Sequence, residues 1–131
     1  MRKGTFVFLI LSSILSGTAL VQATPISQSS IQLQGLDKIT GYVFNITTEI
    51  DKPIVFGTLT IIPRACYQAP PEDPPESTAF IEIWEKDSDG NPRRILSRWM
   101  FASSRALSSL DHPVYDVWVS TCVGNQNPPT A

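Results

Sequence analysis

The feature that most constrains the fold is a two-residue alternation over residues 42–50. The side chains of Tyr42, Phe44 and Ile46 alternate with Val43, Asn45 and their successors along this stretch. Successive side chains of a strand point to opposite faces, so the pattern predicts a half-buried β-strand.

Further segments with the composition of strands follow along the chain. After a turn at 51–53, residues 54–62 predict a second strand, and Pro63 indicates that this strand lies at a sheet edge or bends there. Two more strands, at 79–85 and 94–101, are predicted to form a hairpin around the turn-forming residues at 87–92.

The last part of the domain combines a short helix with a final strand at 114–122. Ser103 or Ser104 is placed to cap that helix, which ends at His112 because Pro113 follows it. The predicted fold class is therefore mainly β: a small antiparallel β-sandwich or barrel of about five to seven strands, with one short helix.

The N-terminus has the pattern of a secretory signal peptide over residues 1–23. Arg2 and Lys3 give it a positive start, an apolar run follows, and the small residue Ala23 precedes the expected cut. The alternative is an uncleaved membrane anchor, but the apolar run is short for a bilayer span. The chain is thus predicted to be periplasmic or secreted, with no membrane span after cleavage.

The chain after residue 23 is predicted to have three parts. Residues 24–32 are predicted to be a flexible arm, 33–123 the β-domain and 124–131 a flexible tail. In an oxidising compartment, the isolated pair Cys66 and Cys122 is predicted to form a structural disulfide. Closing so long a loop removes roughly 4 kcal/mol of unfolded-state freedom in the chain-entropy treatment.

The candidates for catalysis lie close together in the sequence. Ser103, Ser104, His112 and Asp116 supply the residue types of a nucleophilic triad. However, no Gly-x-Ser-x-Gly elbow is present, and the serines and the histidine also suit a helix start and a helix stop. A structural role is the preferred interpretation, and the protein is not expected to be an enzyme.

Metal and cofactor sites are not expected either. A zinc site would have only one histidine, His112, with Asp111 and Asp116 as its other ligands, which is fewer good ligands than zinc usually has. The 87–91 segment begins like a calcium loop but lacks the glutamate required at a later position. No cofactor is expected. The formal net charge of −2 offers no basic surface for phosphates, so nucleic acid is not an expected partner.

Two features suit recognition. Trp84, Trp99 and Trp118 are candidates for an aromatic platform that binds sugar or peptidoglycan, although two of the three are expected in the core. A stiff proline-acid loop is the second feature, with a rigid connection between strands as the alternative. Its residues are Pro70, Pro71, Glu72, Asp73, Pro74, Pro75 and Glu76.

Four segments of the chain resemble a family of exported Gram-negative proteins catalogued as domain of unknown function 2155. They are 35–41, 56–59, 64–66 and the long block from Trp99 to Cys122. Arg105 departs from the proline expected after the two serines. The resemblance covers residues 33–122 and implies a secreted or periplasmic domain with no established activity and no assigned catalytic residues.

The resulting functional hypothesis is a non-enzymatic, exported β-domain that binds another envelope protein or supports envelope assembly. Two alternatives remain open. One is a small hydrolase that uses Ser103 or Ser104 with His112, and the other is a glycan- or peptidoglycan-binding module.

Overall fold

The structure is a computed structural model that describes residues 24–124 together with Gly4, Gly17 and Thr18. Apart from those three positions, the predicted signal peptide lies outside the described residues, as do residues 125–131 of the predicted tail. The described part of the chain contains no helix with the length and apolar composition that crossing a bilayer requires.

In the described residues, eight strands form two antiparallel sheets, which confirms the predicted mainly β fold class. The larger sheet has the order β1-β5-β6-β7 with β4 also paired to β5, and the smaller sheet has the order β3-β2-β8. The two sheets do not close into a barrel. The strands are β1 (Ile26–Ser27), β2 (Ser30–Asp37), β3 (Tyr42–Glu49), β4 (Ile54–Phe56), β5 (Leu59–Gln68), β6 (Ser77–Lys86), β7 (Pro92–Phe101) and β8 (Tyr115–Val123).

The turn between β6 and β7 is stabilised by the side chain of Asp87. Asp87 accepts hydrogen bonds through Oδ1 from the backbone N–H groups of Asp89 and Asn91, each at 2.9 Å. Gly90 provides the positive φ of 81° that this turn needs. The segment at 87–92 is therefore a β6–β7 turn, as predicted.

The core lies between the two sheets and is aliphatic. Alternate residues of β6, namely Ala79, Ile81 and Ile83, are fully buried, and Leu33 and Val119 face them from the smaller sheet. Alternation places one side of β2, β5 and β6 in the core. Burial of these side chains is the main stabilising contribution to the fold. In β3 only Ile46 is buried, and Tyr42 and Phe44 are exposed, so the strand predicted at 42–50 forms but is not half-buried as predicted.

The disulfide between Cys66 and Cys122 joins the two sheets. Cys66 lies on β5 and Cys122 on β8, and their Cα atoms are 5.7 Å apart. Pro63 lies upstream of Cys66 on β5, where the register against β6 shifts between Pro63 and Ala65. β5 pairs with β4 and β1 as well as with β6, so it is not an edge strand, and the predicted bend corresponds to this irregularity in register.

Residues 24–32, expected to be a flexible arm, instead contribute to both sheets. Ile26 pairs with Gln68 of β5, and the Gln28 N–H donates to the Cys66 carbonyl at 2.8 Å. Ile31 is fully buried opposite Cys122. A polar composition concealed these strands because backbone hydrogen bonds, rather than a run of apolar side chains, hold β1 in place.

The expected short helix is only a single 3-10 turn, Arg105–Ser108. Ser104 occupies its N-cap position without a side-chain capping bond, so the predicted serine cap is wrong. Leu107 is 70% exposed, whereas Leu110 is buried in the core. The turn is too short to present a continuous apolar face, and it is held by Ser108, whose hydroxyl donates to the Trp99 carbonyl at 2.5 Å, and by Leu110 just beyond it.

The prediction that two tryptophans lie in the core is also wrong. Trp99 is 42% exposed, and Trp84 and Trp118 are half-buried on the outer faces of their sheets. The indole N–H of Trp84 donates a hydrogen bond to Glu82 at 3.4 Å, and that of Trp118 donates to Gln34 at 2.9 Å. The aliphatic side chains of opposite parity fill the core instead.

Candidate functional site

Three aromatic side chains form a platform on the outer face of the larger sheet: Tyr67, Phe80 and Trp99. The ring centroids of Tyr67 and Trp99 are 6.0 Å apart, and those of Phe80 and Trp99 are 5.3 Å apart in an edge-to-face arrangement. Tyr67 is 37% exposed and Trp99 is 42% exposed. The aromatic platform therefore presents a large apolar surface outside the core.

Strand register brings these rings together from distant parts of the chain. Phe80 of β6 lies directly opposite Trp99 of β7 and opposite Ala65 of β5. Tyr67 follows Ala65 by two residues and therefore shares its face. The platform depends on the pairing order β5-β6-β7 and is not a local feature of any one strand.

The proline-acid loop lies beside this platform and forms a cleft with it. The loop connects β5 to β6, and its ends are joined by a hydrogen bond from the Ala69 N–H to the Glu76 carbonyl at 2.9 Å. The cleft has a volume of about 490 Å³. Its lining comprises Thr24, Pro25, Tyr67, Ala69, Pro70, Asp73, Glu76, Thr78 and Trp99.

Glu76 fixes the loop to the end of β7. Its carboxylate accepts hydrogen bonds from the Ser103 hydroxyl and from the Ser103 and Ser77 backbone N–H groups, both of the latter at 3.1 Å. Partial burial acts to raise the pKa of Glu76, but these hydrogen bonds outweigh it and lower the pKa below its ordinary value. Glu76 is thus an ionised structural anchor.

Asp73 is the other carboxylate of the cleft and differs from Glu76. Its backbone N–H donates to the Pro70 carbonyl at 3.0 Å, which forms a turn within the loop. Its exposed side chain forms no hydrogen bond or ion pair with the described residues. Asp73 is therefore the acidic group that the cleft has available for a ligand.

His112 is committed to local structure. Its Nδ1 accepts hydrogen bonds from the backbone N–H groups of Val114 and Tyr115, each at 3.1 Å. Because Nδ1 acts as an acceptor, the proton of the neutral ring lies on Nε2, which donates to Glu85 Oε2 at 2.9 Å. Both ring nitrogens are thereby used where β8 begins.

Glu85 completes this cluster on β6. The hydrogen bond from Thr58 and the one from His112 lower the pKa of Glu85, against the opposing effect of its partial burial. These groups border a second cleft of about 450 Å³, lined by residues including Thr58, Trp84 and Glu85. The Glu85 carboxylate and the Trp84 indole N–H are already hydrogen-bonded within the protein, so neither is available to bind a ligand in this second cleft.

The remaining triad candidates are bonded elsewhere. Ser103 donates to Glu76, whereas the Ser104 N–H donates to the Phe101 carbonyl at 3.2 Å. Asp116 accepts from the adjacent Val117 N–H at 2.9 Å. Among the described residues, no hydrogen bond joins any two of the four candidates, so the structure does not assemble them into a shared reaction centre.

Only some of the candidate residues predicted from the sequence lie at the cleft. The proline-acid loop and Trp99 lie at the cleft, whereas Trp84 and Trp118 lie elsewhere. Sequence reasoning missed Tyr67 and Phe80 as site residues. In the described part of the chain, no three histidine, cysteine, aspartate or glutamate side chains are grouped as metal ligands would be.

Comparison with known proteins places the chain among uncharacterised bacterial proteins. An uncharacterized protein of Rickettsia prowazekii (strain Madrid E) is 26% identical over 87 residues, which is 66% of this chain and 56% of that protein. The chain therefore spans little more than half the length of this relative. No solved structure matches it. The model of the family described as "Uncharacterized protein conserved in bacteria (DUF2155)" matches residues 31–122, and the chain belongs to this family.

Proposed function

We propose that the chain is exported and that its β-domain is a non-enzymatic module, which binds another envelope protein through the cleft between the aromatic platform and the proline-acid loop. The observation that carries this proposal is the exposure of Tyr67 and Trp99 beneath a stiff loop. Aromatic side chains in a partly enclosed pocket are the usual energetic centres of protein interfaces.

The packing of the domain supports a binding role for this surface. The core between the sheets is complete without the platform, since aliphatic side chains and the disulfide fill it. Tyr67 and Trp99 nevertheless leave 37% and 42% of their surface in water, and this exposure has a hydrophobic cost. A partner that covers them would remove that cost.

A non-enzymatic role is supported by the positions of the polar groups. Ser103 and His112, the residues that a hydrolase would need, use their side-chain hydrogen bonds on Glu76 and Glu85, respectively. A nucleophile and its base must lie within hydrogen-bond reach of one another. The observed pairings favour structural roles for both.

Export is supported by two features of the chain. The N-terminal residues have the charge, apolar run and small residues of a signal peptide. Cys66 and Cys122 are joined, and structural disulfides persist in oxidising compartments. A fusion of residues 1–23 to a reporter that is active only outside the cytoplasm tests export, with Arg2 and Lys3 changed to Glu as the control expected to abolish its activity.

Crosslinking in intact cells tests the binding role. A photoreactive amino acid at Glu72, an exposed residue of the loop that does not line the cleft, is expected to give a defined protein adduct, and Trp99→Ala is expected to remove it. Trp84→Ala is the matched control, because Trp84 lies on the same sheet but outside the cleft. Equal adducts in both variants, or none in the original chain, would overturn the proposal.

A further inference from the structure

Resting on the proposed function, we infer the chemistry of the partner: it presents an arginine or lysine side chain on an extended segment, and this cation stacks on Trp99 with Asp73 as its counter-charge. Two observations lead to this inference. They are the charge of the cleft and the cation–π contacts of the other two tryptophans.

The charge of the cleft favours a cation. Its lining contains the carboxylates of Asp73 and Glu76, and none of the nine lining residues is basic. Glu76 is held by Ser103 and Ser77, whereas Asp73 has no partner among the described residues. A basic side chain entering the cleft would meet an available carboxylate and no like charge.

The other two tryptophans each have an arginine side chain over the indole ring. The Arg94 guanidinium lies 6.0 Å from the ring centroid of Trp84, and that of Arg105 lies 4.5 Å from the ring of Trp118. Both are cation–π arrangements supplied by the chain itself. Within the described residues Trp99 has no such cation, so its exposed ring is available for one from another molecule.

Charge distinguishes a basic peptide from a neutral sugar. Glu76 is already bonded, and the other polar side-chain groups of the lining are the Asp73 carboxylate, the hydroxyls of Thr24, Tyr67 and Thr78 and the indole N–H of Trp99. A neutral sugar would use the hydroxyls and the indole but would leave Asp73 without a counter-charge. A single cation needs only the aromatic face and one carboxylate, which the cleft supplies.

An extended backbone suits the shape of the site. The platform and the loop form the two sides of an open cleft on the sheet face, and Pro25 and Pro70 contribute to its lining. Grooves lined by aromatic side chains characteristically receive extended segments. Because the loop is stiff, closing it around such a segment costs little conformational entropy.

Calorimetry with defined peptides tests the inference. The probes are a capped decapeptide with three arginines separated by glycine and serine, and the same peptide with citrulline, which keeps the planar side chain without its charge. The purified, disulfide-bonded protein is expected to bind the arginine peptide at least about tenfold more tightly. Trp99→Ala and Asp73→Asn should each remove most of this difference, whereas Trp84→Ala and Glu72→Gln should leave it unchanged.

The outcomes separate this inference from the function on which it rests. If the two peptides bind equally, or neither binds, while Trp99→Ala still abolishes crosslinking in cells, the cationic ligand is wrong and the binding function stands. If crosslinking is also insensitive to Trp99→Ala, both fail. Binding of a hexamer of N-acetylglucosamine that is lost in Trp99→Ala would assign the cleft to glycans and overturn the inference.

Discussion

The Ser103 hydroxyl donates a hydrogen bond to the carboxylate of Glu76, which lies 27 residues earlier in the chain. This bond, together with the Ser103 backbone N–H, fastens the end of the proline-acid loop to the segment that follows β7. Glu76 lines the cleft together with Trp99 of β7, so this contact holds the loop end next to the platform.

Replacing Glu76 by alanine is expected to loosen this connection and destabilise the domain. The variant loses the acceptor of three hydrogen bonds and leaves the Ser77 and Ser103 N–H groups without it. The expected decrease in the free energy of unfolding is about 1–3 kcal/mol. Urea denaturation measures it, with Glu72→Ala, a change in an exposed residue of the same loop, as the control. Equal stability of the two variants would show that the anchor is ineffective.

Acid should destabilise the domain through Glu76 and Glu85, whose pKa values are both lower in the folded state than their ordinary value. A depressed folded-state pKa means that the contribution to stability is fully present above the unfolded pKa of about 4.3 and is lost as the pH falls through the lower folded value. The melting temperature is therefore expected to fall below about pH 5. The double variant Glu76→Gln, Glu85→Gln should have a flatter profile there, and an unchanged profile would contradict both assignments.

Gly57 is expected to tolerate no side chain. Its φ is 59°, and a Cβ placed on it would overlap the hydroxyl and ring of Tyr115. Tyr115 cannot easily move, because its ring packs against Phe56 and His112 at centroid distances of 5.2 and 5.4 Å. Gly57→Ala should therefore cost about 2–4 kcal/mol, from backbone strain and overpacking together.

Gly90→Ala is the matched control for this prediction. Gly90 also has a positive φ, of 81°, but a Cβ there would meet nothing within 4 Å. Its substitution should cost only the backbone strain, about 1 kcal/mol. Chemical denaturation of the two variants isolates the contact with Tyr115, and equal losses would show that this contact adds nothing.

Much of the fold could be predicted because strand periodicity is a local property. The alternation at Ile81 and Ile83 was sufficient to identify β6. The segment also has apolar residues of the opposite parity, Phe80 and Trp84, so periodicity left the identity of the inner face open. Glu82 shares that second parity and was the available signal that these aromatics face outward.

The candidate site was less predictable because it depends on pairing between distant strands. Tyr67 and Trp99 lie on β5 and β7 and meet only through the intervening strand β6. No spacing in the chain encodes that order of strands. The β1 strand escaped detection for a related reason, since two residues such as Ile26 and Ser27 are too few to show any period.

Loss of the disulfide should lower the free energy of unfolding, because it removes the covalent link between the two sheets. Cys66 and Cys122 join β5 to β8 across the core, and few other covalent or polar contacts cross it there. Changing both to serine is expected to lower the free energy of unfolding by about 3–5 kcal/mol. Adding a reductant to the original protein should reproduce this loss in urea denaturation but leave the double variant unaffected. Under the proposed export, mass spectrometry of the protein isolated from cells should find no free thiol, because structural disulfides form in oxidising compartments. Two free thiols, or stability that does not respond to the reductant, would contradict a stabilising bridge between the sheets.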